Sequence, residues 1–360
     1  MIGPTMSVHT QRWAAALRER GLHVSILSPS PLPVPLPPTL TGLPIWTFPV
    51  GRPGMTRAQR LRSLLSGWAM VPGLLHALAP DIVHLHSLPT PAAVPFLLRL
   101  PHLVVSAWGS DVVQRDARKV RWYPLLLARA AALCATSHYL AGVLASYLRQ
   151  PRPINVIAFG IDITKFRPPP VLVVHTPFRI GCLKRLERIA GQDLLLRAFA
   201  QLRAAPDGRL PVLRLGGDGE ERPALQQLST TLGVHDRVQF LGAVPHVGAP
   251  EFLRQLDLFA MPSRAESFGV AALEAQACGL PVVATAVGGV TEVIQDGQTG
   301  VLVPPEDVHA LQYALQQCMD DRATLASMAQ AGPAWVRTHY DWARNIDQML
   351  AVYEQVLSGS

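Results

Sequence analysis

The sequence predicts an α/β chain of two doubly wound halves, each a parallel sheet flanked by helices. Three observations predict it. Apolar runs of strand length alternate with helical patterns from Leu22 to Leu148, as βαβ units require. The same alternation restarts at Phe178. Between the two stands Pro168-Pro169-Pro170, where helix and sheet must both stop. With 360 residues, 49% of them apolar, the chain can bury two cores of ordinary size. The expected boundaries are 1–168 for the first domain, 169–334 for the second and 335–360 for terminal helices.

Charge narrows the partners. A net charge of +7 and a pI near 9.6 suit nucleoside diphosphates, anionic headgroups or acidic glycans. No Lys/Arg block interleaved with aromatics reads as a nucleic-acid module, so nucleic acid is not expected. Cys134, Cys182, Cys278 and Cys318 lie far apart. They form neither zinc spacing nor a disulfide framework, which fits a reducing cytosol. The longest apolar runs, such as Tyr123 to Ala135, are short and broken by Arg129. No signal peptide or membrane span is therefore expected. The expected location is cytoplasmic, with contact at most peripheral at an anionic membrane face.

In the first half, Ser7 to Gly21 reads as a helix with Trp13 and Leu17 on its apolar face, and Leu22 to Ser28 as a buried strand. A doubly wound domain starts with a strand and a phosphate loop. Met1 to Thr5 are too few for both, so that strand is expected to be absent or truncated, with Gly3 as what remains of the loop. Residues 29–53 are proline-rich and read as an extended loop. Arg57 to Leu78 reads as an amphipathic helix, with Arg57, Arg60 and Arg62 near its start and Leu61, Leu64, Leu65, Trp68 and Met70 as apolar residues. It is either a core helix with a basic edge or an interfacial element on anionic lipid.

Asp81 to His86 is a buried strand whose His84 and His86 share one face. Such a pair is ordinarily structural. His86, at the carboxyl end where such sheets bind ligands, is an acceptor-side candidate. Leu103 to Ala107 is the next strand and ends in Trp108-Gly109-Ser110-Asp111. Asp111 is the polar group at that strand end, an acceptor contact or the N-cap of the next helix. Arg115, Arg118, Lys119 and Arg121 follow, as a guide for an anionic acceptor or as a solvated face. Ala132 to Ser137 is a strand, followed by a helix to about Leu148.

The second half opens with the strand Phe178 to Leu183, then Lys184-Arg185-Leu186-Glu187-Arg188 and a helix from Gln192 to Arg203. Val212 to Glu220 runs from a strand into a glycine loop holding Gly217, weak evidence by itself. Val238 to Gly242 is a strand. Leu256 to Ala260 leads into Met261 to Gly279, where Glu266 and Glu274 stand eight positions apart. Gly279-Leu280-Pro281 stops a helix, so the helix is expected over roughly 268–278. Glu266 then sits in the loop at its N-terminus, and Glu274 lies ~12 Å further along the axis at ~1.5 Å per residue. A helix N-terminus suits a phosphate, and carboxylates beside it accept hydrogen bonds from hydroxyls. A diphosphate with a sugar at one end and a ribose at the other fits that layout. On spacing alone the pair also reads as a helix-terminal charge and a solvated face residue.

The phrase P-S-R-x-E-S-F-G-V-x-x-L-E-A-x-A-C-G-L-P-V-V-A-T from Pro262, followed by V-G-G-V-x-E, resembles the nucleotide-sugar half of the retaining glycosyltransferases of family 4, which have the GT-B fold. The stretch I-N-V-I-A-F-G-I-D-I-T-K-F from Ile154 is similar to the family's phrase at the end of its first domain. The resemblance covers nearly the whole chain and is strongest from Ile154 to Pro304. It implies two Rossmann-like domains facing across a cleft, with the terminal helices crossing back onto the first, acceptor-binding one. It also implies a UDP- or GDP-sugar donor, a glycan or lipid-linked acceptor, and retention at the anomeric carbon.

By the same resemblance Glu266 holds hydroxyls of the donor sugar and Glu274 those of the ribose. Ser267, Phe268, Gly269, Val270 and Gly217 lie against the nucleotide and its phosphates, and Arg185 neutralises the diphosphate. The departing phosphate takes the acceptor's proton, so the protein's part is positioning and electrostatics. Beside the missing first strand, two departures stand out. The family's lysine five residues after the arginine is here Ala190, leaving Arg188 or Lys184 to supply that charge. The family's histidine facing the transferred sugar is here Trp108. His86, in contrast, matches a histidine common in the family. The chain holds no D-x-D triplet, so neither a metal nor another cofactor is expected. The alternatives are an inactive sugar-nucleotide-binding scaffold subunit, or another GT-B enzyme such as a sugar-nucleotide epimerase.

Overall fold

The computed structural model describes residues 1–29, 31–48, 55–98, 100, 102–113, 117–170 and 175–359. Arg115 and the side chains of Arg57 and Arg60 lie outside the described part. The chain forms two compact units, 1–159 with 344–360, and 160–343.

The second unit is a six-stranded, wholly parallel sheet. Its strands are β7 (Arg179–Leu183), β8 (Val212–Gly216), β9 (Val238–Gly242), β10 (Leu258–Met261), β11 (Val282–Thr285) and β12 (Gly300–Val303). Their spatial order is β12-β11-β10-β7-β8-β9, the doubly wound order whose direction reverses between β7 and β10. The central strands are buried on both faces, which is why they read as unbroken apolar runs. Among its described residues the α-helices are α7 (Gln192–Ala200), α8 (Arg222–Thr231), α9 (Ala249–Arg254), α10 (Val270–Ala277), α11 (Val290–Val293), α12 (Val308–Asp320) and α13 (Arg322–His339). One core runs from Phe178 and Phe199 through Leu213 and Leu258 to Leu315. Helix α10 starts at Val270, not Phe268, because Gly269 has φ 107° and lies outside helical backbone. Helix α7 ends at Ala200, short of Arg203.

The first unit holds β1 (Ile26–Ser28), β2 (Ile45–Thr47), β3 (Val83–His86), β4 (Leu103–Ala107), β5 (Ala132–Ala135) and β6 (Asn155–Val156). Its helices are α1 (Val8–Glu19), α2 (Arg57–Leu78), α3 (Val94–Leu97), α4 (Ser110–Val113), α5 (Ala117–Arg129), α6 (His138–Ala145) and, from Arg344 on, α14 (Trp342–Ser358). Strands β3 to β6 form one parallel sheet, and β1 and β2 a parallel pair. A single residue pairs at the first-strand position. Ile2 bridges Leu27 of β1 and Leu85 of β3, both in parallel, with hydrogen bonds such as Ile2 N to His84 O at 2.8 Å. Ile2 thus stands where the first strand of a doubly wound sheet belongs.

The proline-rich stretch is not wholly loop, since Ile45–Thr47 pairs with β1. Helix α2 keeps its expected bounds, but its apolar face is not all core. Trp68 is buried, whereas Leu61, Leu65 and Met70 are exposed.

Candidate active site

The loops after β7 and β10 leave the sheet where its winding reverses, the position at which such sheets open a ligand crevice. Two glycines let the surrounding backbone close up. At Gly217, with φ 136°, a Cβ would overlap the Lys184 carbonyl, so the loop after β8 lies against the loop after β7. At Gly191, with φ 72°, a Cβ would overlap the carbonyl of Pro262, which brings the loop after β7 onto the one after β10. Both backbones are closed to an L side chain.

Glu266 meets Lys184 in these loops. Their side chains are ion-paired and 18% and 25% exposed, and Lys184 Nζ also donates to Ser263 Oγ at 2.9 Å. The loop carrying Glu266 is anchored by Arg264. Its guanidinium donates to both Asp193 oxygens, at 2.7 and 2.9 Å, and to the Arg188 carbonyl at 2.7 Å. Its Nε pairs with Glu306 at 2.6 Å. Such two-pronged pairs fix orientation as well as charge. Asp193 hydrogen-bonds hold that carboxyl below the ordinary range even though burial pushes it upward.

Glu274 lies in the second turn of α10, a helix whose flanks are almost wholly buried. It is braced from α13, where Gly332 packs on Gln276. The Trp335 indole, also on α13, donates to the Val293 carbonyl at 3.0 Å. The Glu274 side chain is 8% exposed, and its Oε1 lies 3.0 Å from His246 Nε2. A carboxylate accepts only, so Nε2 carries the proton. Between the two carboxylates, α10 begins without a side-chain cap, and its first N–H groups have no acceptor within the helix. Ser267, Phe268, Gly269 and Val270 form this entry, with Phe268 buried against Tyr340.

The remaining cations sit differently. Arg185 is 76% exposed and pairs with Glu187 at 2.6 Å. Arg188 is exposed and enters the network through its carbonyl. Ala190 is buried. The structure therefore brings Lys184, and not Arg185 or Arg188, to Glu266. Arg264 and His246 join the site through the fold and are not among the candidates the sequence offers. The third letter of P-S-R was the available signal for the first. His246 had none, being 28 residues from its partner.

In the first unit, Asp111 is saturated by backbone. It accepts from Leu88 N at 2.8 Å, Gly109 N at 2.6 Å and Trp108 N at 3.2 Å. Burial still holds its carboxyl above the ordinary range. This geometry ties the ends of β3 and β4 together, and it corrects the cap reading, since Asp111 lies within the first turn of α4 and not before it. His86 is buried beneath Trp108, with ring centroids 4.8 Å apart, and neither of its nitrogens has a hydrogen-bond partner among the described residues. His84 bonds Tyr353 Oη at 2.6 Å and Ser106 Oγ at 2.7 Å. It is structural.

Two family models match this chain side by side: Glycosyltransferase Family 4 over residues 6–165 and Glycosyl transferases group 1 over 165–335. A D-inositol 3-phosphate glycosyltransferase from Corynebacterium urealyticum is 31% identical over 310 residues, 78% of this chain and 73% of that protein. The chain belongs to glycosyltransferase family 4. It is also 31% identical over 276 residues to a GDP-mannose-dependent alpha-(1-6)-phosphatidylinositol monomannoside mannosyltransferase from Mycolicibacterium smegmatis, covering 70% of this chain and 72% of that one. With D-inositol 3-phosphate glycosyltransferase 1 of Catenulispora acidiphila it shares 34% over 231 residues, 60% of this chain but 55% of the relative's length. Among solved structures, sucrose-phosphate synthase of Thermosynechococcus elongatus superposes with a TM-score of 0.81 at 21% identity, over 98% of this chain and 94% of that one. Anabaena Alr3699/HepE in complex with UDP-glucose gives 0.78 at 22%, over 100% and 99%. At such identities these likenesses speak for the fold, which is GT-B. This family 4 member is a glycosyltransferase. No helix among its described residues is long and apolar enough to cross a membrane.

Proposed function

We propose that this enzyme transfers a sugar, with retention, from a nucleoside-diphosphate sugar linked to UDP or GDP onto a hydroxyl of a glycan or lipid-linked acceptor. The observation that carries the reading is the placement of two carboxylates about the N-terminal half of α10, at the reversal point of the sheet. Lys184 holds one and His246 the other. Glu266 accepts from hydroxyls of the donor sugar, Glu274 from the ribose, and the diphosphate lies on the α10 N-terminus between them. Lys184 and Arg185 offset its charge. Arg185 is restrained by a surface ion pair, which is worth little, so its long side chain is free to turn onto phosphate.

The acceptor hydroxyl attacks the anomeric carbon on the face the phosphate leaves. The carbon–oxygen bond to phosphate breaks, and the departing phosphate oxygen takes the acceptor's proton. No side chain need act as nucleophile. Catalysis then rests on orientation and on charge stabilisation at the diphosphate.

Two relatives are named for inositol phosphate and phosphatidylinositol acceptors, which favours a phosphorylated or lipid-linked acceptor here. Exposed Leu61, Leu65 and Met70 near Arg62 on α2 favour peripheral contact with anionic bilayers. The test is a panel of UDP-, GDP- and ADP-sugars, followed by NMR of the anomeric proton in hydrolysis or transfer products. Turnover with the donor's anomeric configuration kept is expected. An inverted product contradicts the mechanism, and tight binding without turnover favours the inactive scaffold.

A further inference from the structure

We infer that His246 is a positioning residue for the nucleotide end of the donor: it holds the Glu274 carboxylate in the one orientation that leaves an oxygen open to a vicinal diol. The inference rests on the reading that Glu274 faces the ribose. A carboxylate that is 8% exposed needs a donor to offset lost hydration. Among the described residues His246 is the hydrogen-bond donor that supplies it, through Nε2 to Oε1 at 3.0 Å. With Oε1 engaged there, Oε2 is left for a ligand.

The imidazole is itself fixed from two sides. It opens the short 3-10 turn His246–Gly248 directly after Pro245, whose carbonyl accepts from Gly248 N at 2.8 Å. Its ring also packs on the buried Phe166, with centroids 5.5 Å apart. At 39% exposure its outer edge remains open to solvent, so a nucleoside can approach the pair without burying it first. Two adjacent hydroxyls demand two acceptor positions in one plane, and a carboxylate free to rotate presents them only part of the time. His246 thus acts on binding rather than chemistry, because it touches Glu274, whereas Glu266 is held separately by Lys184.

The test compares wild type, His246→Ala, His246→Gln and Glu274→Gln. Calorimetry is run with the nucleoside diphosphate the wild type binds and with its 2′-deoxy counterpart, alongside kcat and KM for the donor. His246→Ala is expected to weaken nucleoside diphosphate about tenfold and to raise donor KM to match, as loss of one charge-assisted hydrogen bond gives. Its kcat should stay within about twofold of wild type, as loss of a contact made equally in the ground and transition states gives. The 2′-deoxy ligand should bind wild type and His246→Ala alike. His246→Gln keeps an N–H donor and should recover most of the affinity. If Glu274→Gln loses affinity while His246→Ala binds as wild type does, the inference falls and the ribose reading stands. If His246→Ala weakens both ligands equally, the role is packing and the inference is overturned. If Glu274→Gln keeps full affinity, the ribose reading fails first. Should His246→Ala not fold, His246→Gln carries the comparison, and failure of that variant to bind would count against the proposal.

Discussion

At the scale of single residues, the site depends on which groups hold its two carboxylates. Lys184 reaches Glu266 from 82 residues away, and such a pairing leaves no trace in local spacing. The candidates themselves were legible, because Lys184, Glu266 and Glu274 stand in phrases resembling the family's. Their partners were not, since an ion pair is decided by where loops meet. Arg264 illustrates the difference. As one letter of a motif it says nothing of Asp193 or Glu306, yet it ties three loops together. Arg264→Ala should cost about 2 kcal/mol in urea unfolding. That is below the value for a fully buried pair because Glu306 is half-exposed. Arg264→Lys should recover only part, for lack of a two-pronged grip. Wild-type stability in both variants would dismiss the anchor. Arg185→Ala should lower turnover roughly 10²-fold, as loss of one charge-stabilising contact does. A variant with unchanged kcat would remove Arg185 from the diphosphate.

At the scale of elements, close backbone approach and buried polar pairs set the limits. Gly191→Ala should destabilise by more than about 1 kcal/mol, because its φ of 72° suits only glycine and a Cβ would force Pro262 away. Denaturant titration measures this, and an unchanged midpoint would mean the loops do not need that contact. His84 gives a pH dependence. Burial lowers its pKa from 6.5 to about 3, so the folded state holds the ring neutral while the unfolded chain protonates it near 6.5. Its contribution is complete above pH 6.5 and is lost as pH falls toward 3, at about 1.4 kcal/mol per unit. His86 is shifted in the same direction by burial. The Tm should therefore fall between pH 6.5 and 5, and less steeply in a His84→Asn variant. A flat Tm over that range would contradict it. Strand and helix order was largely legible here, because strands buried on both faces read as apolar runs. The shortness of the first strand was legible too, and a single residue, Ile2, bridges β1 and β3, though periodicity could not place it, needing more than one residue to register.

At the scale of the whole molecule, two doubly wound units were legible from the restart of alternation past Pro168-Pro169-Pro170. The family was legible from a long ungapped phrase. Donor sugar, base and acceptor were not, because these depend on side chains converging from distant loops. Family membership makes the chain a glycosyltransferase, and the proposed division of one donor between two carboxylates is the central claim about its site. The direct measurement is calorimetry of Glu266→Gln and Glu274→Gln with nucleoside diphosphate and with intact donor. Glu274→Gln should weaken both ligands, by ~1.5–3 kcal/mol for a lost carboxylate–hydroxyl contact. Glu266→Gln should leave nucleoside diphosphate nearly unchanged while impairing transfer and blurring the choice of sugar. Equal loss of nucleoside diphosphate binding in both variants, or loss in neither, would contradict the division.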